Sequence, residues 1–333
     1  MELLVLSAAD VHAVLDYADC AAAMRRALAL LASGGAQQPL RTVYAPDGAA
    51  GLVALMPAYL AGDTPSYGLK ALCVTPGNPA VGLDTHQGVV LLSDGRSGVP
   101  VAILNASAIT EIRTAAVSVV ATDLLATPDA DTLGVIGAGV QARAHILALD
   151  QARPLAEVRI ASRGPDNARR LAAALRGLTR APVLACASAA AAVDGADIIV
   201  TATSATQPVL RRDWIAPGAH INAVGACLPG ARELDTATVA AGVLVADRRE
   251  SVLAESGDYR LAATDGAVGP DHIRAELGEL LVGAARGRAA ADEITIFESL
   301  GLAVEDLAAA DLAYRRAAER KDAGVEIGIR VSF

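Results

Sequence analysis

Leu133-Gly134-Val135-Ile136-Gly137-Ala138-Gly139-Val140-Gln141-Ala142-Arg143 decides the reading of this chain. Four apolar residues suited to a buried strand run into Gly-x-Gly-x-x-Ala, and the next ten positions, Arg143–Ala152, carry a helical pattern. In a strand–turn–helix unit of this kind the first glycine permits the tight turn and the second lets a pyrophosphate approach the backbone. The closing small residue lets helix and strand pack closely, and the helix N-terminus favours the phosphate charge. Gly137, Gly139, Val140 and Gln141 are therefore candidate dinucleotide contacts. A glycine turn without nucleotide is the competing reading, and the strand before and helix after argue against it. The second strand, Val158–Ala161, ends not in an acid but in Ser162-Arg163. A carboxylate there would hold a ribose 2′-hydroxyl and repel a 2′-phosphate, whereas serine and arginine suit the phosphate. This favours NADP(H), with NAD(H) as the alternative and Arg163 as an exposed loop cation as the competing reading.

Working outward, short apolar strands recur at Val183–Cys186, Ile198–Thr201, Ile221–Val224 and Val243–Ala246, with Ala-rich helical stretches between most of them. That alternation predicts βαβ units and a parallel sheet covered on both faces. Before residue 130 the pattern differs. One amphipathic helix, Asp16–Ala32, stops at Gly34-Gly35, and β-rich runs follow at 40–45, 51–56, 69–75, 89–93 and 99–104, with a hairpin loop at 94–98. An antiparallel or mixed sheet is expected there, then a long helix from Ser107 to Ala126. A last helix, Val304–Lys321, and an extended tail, Val325–Val331, return to that first region. The expected fold class is α/β: a Rossmann-type parallel sheet domain over 131–297 and a discontinuous α+β domain over 1–130 and 298–333.

Composition narrows the partners. Of 333 residues, 53% are hydrophobic and 3% aromatic, so Ala, Val, Leu and Ile fill the core; 20% are charged and the mean hydropathy is +0.40, which excludes an intrinsically disordered chain. A net charge of -9 offers no footprint for a phosphate backbone, so nucleic acid is not an expected partner. The longest uncharged run, Trp214–Ala231, is interrupted by Pro217, His220, Asn222 and Pro229 and falls short of the roughly 20 apolar residues of a membrane span. Cys20, Cys73, Cys186 and Cys227 form no Cys-x-x-Cys pair and no secretory leader precedes them, so a cytoplasmic location is expected. His86, His145 and His220 show no metal-ligand spacing, and His220 reads as structural.

Gly68-Leu69-Lys70, Thr85, Thr110-Glu111-Ile112-Arg113-Thr114-Ala115-Ala116, the glycine loop, Gly218-Ala219-His220-Ile221-Asn222-Ala223-Val224-Gly225 and Thr295-Ile296-Phe297-Glu298-Ser299-Leu300-Gly301 together resemble the ornithine cyclodeaminase/μ-crystallin family. The resemblance spans nearly the whole chain. It implies a homodimer whose discontinuous domain binds substrate and builds the interface, beside a domain that binds a nicotinamide cofactor. It further implies that Arg41, Lys70 and Arg113 face the substrate, with Thr85 grouped among them, and that Thr114 contacts the cofactor; Thr203, just past Ile198–Thr201, is taken with the cofactor residues. The chemistry is coherent. A guanidinium fork binds a carboxylate through paired hydrogen bonds, and a lysine with lowered pKa serves a substrate nitrogen. Read singly, each of the three is more often a solvated surface cation.

Two positions depart from the family's cyclodeaminases. An aspartate there follows the His-Ile-Asn-Ala-Val-Gly segment and a glutamate precedes Leu-Met-Pro; the matching residues here are Cys227 and Ala54. Cyclodeamination requires proton removal from an amine, attack on an imine and loss of ammonia, and losing two carboxylates weakens it. Reduction of a preformed imine requires less. The expected activity is an NAD(P)-dependent oxidoreductase acting on C=N or CH–NH of a small α-imino or α-amino acid, with Lys70, Arg41, Arg113 and Cys227 as candidate catalytic groups. Cys227 as an inert core residue, an ornithine cyclodeaminase, and a nicotinamide-binding protein with little turnover are the alternatives.

Overall fold

The computed structural model describes residues 2–332. In chain order the elements are β1 (Glu2–Leu6), α1 (Ala8–Val14), α2 (Tyr17–Ala32), β2 (Ala36–Gln37), β3 (Thr42–Tyr44), β4 (Leu52–Leu60), β5 (Ser66–Val74), β6 (His86–Asp94), β7 (Pro100–Asn105) and α3 (Ala106–Leu125). There follow β8 (Thr132–Ile136), α4 (Val140–Ala152), β9 (Glu157–Ala161), α5 (Pro165–Leu175), β10 (Val183–Ala185), α6 (Ala189–Val193), β11 (Ile198–Thr201) and β12 (His220–Ala223). Next come α7 (Thr236–Ala241), β13 (Val243–Ala246), α8 (Arg249–Glu255), α9 (Gly257–Thr264), β14 (Ile273–Glu276), α10 (Leu277–Leu281) and β15 (Thr295–Glu298), and the chain closes with α11 (Ala303–Asp322) and β16 (Ile329–Ser332). Contacts divide it into two units: the chain up to Arg113 with Leu302 onward, and Thr114–Gly301.

The first unit is built on a mixed sheet of order β16-β1-β7-β6-β5-β4-β2, with β3 also on β4; β1 and β7 run parallel and the other pairs antiparallel. Alternation sets its faces. Ala54, Met56 and Ala58 of β4 and Val90 and Leu92 of β6 are buried, and α11 packs on β4, β5 and β6. The other face is apolar yet open: Leu55, Tyr67, Val89 and Ile329 are exposed, and the register places Leu69 and Leu91 beside them. Local chemistry starts the helices. Asp16 accepts from Asp19 N at 2.9 Å to cap α2, and Gln38 Oε1 accepts from Val304 N at 2.9 Å at the first turn of α11.

The second unit is an all-parallel sheet of order β10-β9-β8-β11-β12-β15-β13-β14. Its central strands are buried along their whole length, as their uninterrupted Val/Ile runs predict. β8 lies between β9 and β11, which makes its carboxyl end the point where the strand order reverses.

The division between the units differs from boundaries at 130 and 298. It falls inside α3, between Arg113 and Thr114, and after Gly301. The reason is packing within the second unit. Asn222 Nδ2 donates to Thr122 Oγ1 at 3.0 Å, Ser118 Oγ lies 2.9 Å from His145 Nε2, and Arg288 Nε donates to the Leu125 carbonyl at 2.7 Å. The second half of α3 is thereby part of the nucleotide-fold core. β1, α1 and β14 were not anticipated by the sequence reading.

Candidate active site

In the first unit, Lys70 sits on β5 in phase with the buried Ser66 and Leu72, so its side chain turns into the core and only 3% of it is exposed. Its Nζ is 2.6 Å from Asp306 Oδ2 and 3.5 Å from Thr110 Oγ1. The second oxygen of Asp306 accepts from Arg113 Nε at 2.9 Å, and Arg113 Nη1 donates to Glu305 Oε2 at 3.0 Å. Glu305 also accepts from Leu302 N at 3.1 Å, in the first turn of α11. Lysine, aspartate, arginine and glutamate thus form one buried chain.

Burial is the largest influence on Lys70 and lowers its pKa to about 8; the carboxylate of Asp306 opposes this, and the charges of Arg113 and Arg41 add to the lowering. Burial alone would raise Asp306, but Lys70 and Arg113 outweigh it and hold the carboxyl below its usual range. The His86 ring, on β6, is pushed down by burial and then by the same cations. Arg41 lies half-buried just before β3, close enough for its charge to act on both Lys70 and His86. Thr85 is half-buried in the loop before β6, its carbonyl accepting from Thr75 N at 2.9 Å.

Nε and Nη1 of Arg113 are directed at Asp306 and Glu305. A guanidinium this deeply buried requires acidic partners, and α11 supplies two. The residues missed by sequence reading are those acids. Their signal was an acidic residue on the apolar face of a helix: Asp306 shares a stripe with Ala309, Ala310, Ala313 and Ala317, all buried.

In the second unit, the loop after β8 has the features a dinucleotide phosphate needs. Gly137 takes φ +131°, and a Cβ there would lie 2.3 Å from the Ala202 carbonyl oxygen, so only glycine fits. Gly139 opens α4 with no side chain capping it, a Cβ built on it meets nothing within 4 Å, and Val140 beside it is exposed. An uncapped amide-rich helix start facing open space fits a pyrophosphate. Gln141 is half-buried, and its carbonyl lies 2.7 Å from His145 Nδ1. A carbonyl only accepts, so Nδ1 carries the proton and Nε2 takes the Ser118 hydroxyl.

Ser162 donates to the Gly164 carbonyl at 2.8 Å and accepts from Ala168 N at 3.1 Å, so its hydroxyl ties down the start of α5, while Arg163 beside it is exposed. Thr114 is buried on α3, and Thr203 N donates to Glu233 Oε1 at 2.6 Å. Cys227 is half-buried against the unit's apolar core, Ala54 is buried on β4 opposite Leu72, and neither supplies a carboxylate. His220 is buried with Nδ1 3.0 Å from Thr295 Oγ1, and burial lowers its pKa to about 3, a neutral structural ring. Among the described residues no His, Cys, Asp and Glu cluster is arranged to hold a metal, and no helix is long and apolar enough to cross a membrane.

Residues 1–321 match the model of the ornithine cyclodeaminase/mu-crystallin family. Mouse ketimine reductase mu-crystallin is 42% identical over 281 residues, covering 84% of this chain and 85% of its own. The structure of Thermococcus litoralis Delta(1)-pyrroline-2-carboxylate reductase in complex with NADH and L-proline superposes with a TM-score of 0.93 at 37% identity, over 98% of this chain and all of that one. An archaeal alanine dehydrogenase dimer with bound NAD superposes at 0.91 with 30% identity over the full length of both chains. Matched along nearly its whole length in sequence and in fold, the chain belongs to the ornithine cyclodeaminase/μ-crystallin family.

Proposed function

We propose that this protein is an NAD(P)H-dependent reductase of small α-imino acids, of the ketimine reductase or amino-acid dehydrogenase type. The observation that carries the reading is Lys70: a buried ammonium, its pKa brought down to about 8, fixed between Asp306 and the Thr110 hydroxyl with two arginines near it. The glycine loop after β8 supports the cofactor, and relatives named for ketimine and pyrroline-2-carboxylate reduction support the substrate class.

When bound, the reduced nicotinamide supplies a hydride to the imine carbon. The chain's own residues do the rest. Arg41 binds the carboxylate and so sets which carbon is presented. Lys70, charged at neutral pH, hydrogen-bonds the imine nitrogen and yields the proton that nitrogen needs as C=N becomes CH–NH. Asp306 and Glu305 hold Arg113, whose charge reinforces the pull on the carboxylate. Cyclodeamination of a diamino acid is the weaker reading, since Ala54 and Cys227 stand where that chemistry uses acids.

Three finer points belong to the same proposal. Arg163, exposed beyond β9, pairs with a 2′-phosphate and favours NADP(H) over NAD(H). The open apolar face of the first sheet, with Leu55, Tyr67, Val89 and Ile329 exposed, is covered by a second copy in a homodimer, the two-fold cover such a face calls for. The protein acts in the cytoplasm.

The test is NADPH absorbance followed with Δ1-pyrroline-2-carboxylate, with Δ1-piperideine-2-carboxylate, and with pyruvate plus methylamine. Ornithine is run in parallel for ammonia release. Ketimine-dependent NADPH loss without ammonia from ornithine is the expected result. Ammonia from ornithine with the ketimines ignored reverses the reading, and cofactor binding with no turnover on any of them reduces the protein to a binding function.

A further inference from the structure

A second buried cluster lies wholly within the Thr114–Gly301 unit and plays no part in the chemistry above. Glu233, Asp258 and Glu298 are all inaccessible to solvent. Glu233 spends one oxygen on Thr203 N at 2.6 Å and the other on Gly225 N at 2.7 Å. Asp258 Oδ1 in turn accepts from the backbone N of Glu233 at 2.7 Å and of Leu234 at 2.9 Å, fixing the segment from which Glu233 projects. Ser256 donates to Glu298 Oε2 at 3.1 Å. Packing at Gly225 is close: a Cβ there would meet the Thr203 carbonyl oxygen at 2.2 Å and the Glu233 Cδ at 2.7 Å.

Thr203 stands two residues beyond the end of β11 and Gly225 two beyond the end of β12. These are carboxyl ends of adjacent parallel strands on the far side of the reversal at β8, the half of such a sheet that takes the second mononucleotide. The Gly137 loop and Ser162-Arg163 belong to the other half. We infer that Glu233 is a positioning residue for the nicotinamide half of the cofactor: one carboxylate clamps the two strand-exit loops that frame that half, without touching the dinucleotide itself. The inference rests on the dinucleotide part of the function proposed above.

Only an ionised carboxylate does this. Two converging backbone N–H groups need two acceptors, and an amide offers one acceptor and a donor that would face an N–H at about the same short distance. Burial, the largest influence, raises Glu233, and the side chains of Thr203 and Thr201 and then the amides of Gly225 and Thr203 oppose the rise. Asp258 is pushed by burial and by the Glu233 charge to about 7, and burial with the charges of Asp258, Asp247 and Glu233 drives Glu298 well up. Glu233, with each of its two oxygens taken by a main-chain N–H, is the charged clamp.

The experiment is calorimetric titration of wild type and E233Q with NADH, with NADPH and with ADP-ribose, the fragment that lacks the nicotinamide. E233Q should lose about tenfold or more in affinity for both dinucleotides, the cost of a lost charge-assisted hydrogen bond, and keep its affinity for ADP-ribose, which also reports that the fold is intact. Equal loss on all three ligands, or loss on none, overturns the inference. Failure of wild type to bind any of the three overturns the dinucleotide reading beneath it. Hydrogen exchange on wild type provides an arm that needs no variant. The amides of Thr203 and Gly225 should exchange slowly without cofactor, and exchange at the rate of open loop amides overturns the clamp.

Discussion

Two buried clusters solve the same electrostatic problem in opposite ways. In the first unit, Lys70, Arg113, Asp306 and Glu305 neutralise one another, two cations against two carboxylates, with contacts of 2.6 to 3.0 Å. In the second, Glu233, Asp258 and Glu298 lie together with Asp247 and are accommodated by backbone N–H groups and a hydroxyl, with burial raising Asp258 and Glu298. The difference is instructive about role. An ion-paired network keeps charges ionised and available to act on a bound molecule, whereas a carboxylate whose lone pairs are spent on main-chain amides fixes loops.

The largest effect that sharpens this contrast is at Lys70. Replacing it with alanine should lower kcat by about 10²- to 10⁴-fold, the range for a lost general acid, with a smaller change in KM. Steady-state kinetics with a cyclic ketimine measures it, and a KM effect alone would move Lys70 from chemistry to binding. Arg41→Ala should act the other way round. It should raise KM by about ten- to a hundredfold, as loss of a charge-assisted carboxylate contact implies, and lower kcat less.

How much of this was legible follows from where each partner sits in the chain. The glycine loop was legible because its strand, turn and helix are contiguous, and the parallel sheet because its strands are uninterrupted apolar runs. Lys70 and Arg113 were legible only through family resemblance. Their acids were not, since Arg113 and Asp306 are 193 positions apart, and the local sign, an acid on the apolar stripe of α11, does not say which cation it meets. Glu233 was hidden for a related reason: its partners are main-chain amides, which leave no mark on sequence. Arg163 was readable as a candidate, whereas the capping role of the Ser162 hydroxyl depends on a loop geometry that sequence does not give.

Arg163→Ala should weaken NADPH binding by about tenfold and leave NADH nearly unchanged. Equal loss for both cofactors would remove the 2′-phosphate assignment. Light scattering bears on the open sheet face: a dimer mass at micromolar concentration is expected, and a Leu55→Asp, Tyr67→Asp double variant should run as a monomer.

The smallest effect concerns the acidic cluster. Asp258 is raised from 3.8 to about 7 in the folded state, so the folded protein binds the extra proton between those values. Its contribution to stability is complete below about pH 4 and is lost as pH rises through 7. Urea midpoints should therefore fall across that window, and Asp258→Asn should flatten the fall. An unchanged slope in the variant would place the proton elsewhere in the cluster.

Whether Asp306 holds Lys70 as the proton source for imine reduction is read from kcat measured against pH for wild type and Asp306→Asn with NADPH and Δ1-pyrroline-2-carboxylate. In wild type kcat should decline as pH rises through about 8, where Lys70 loses its proton. In the variant, burial is no longer opposed by the neighbouring carboxylate, so the decline should move to lower pH. A rate that is flat through pH 8, or the same midpoint in both proteins, would contradict that role.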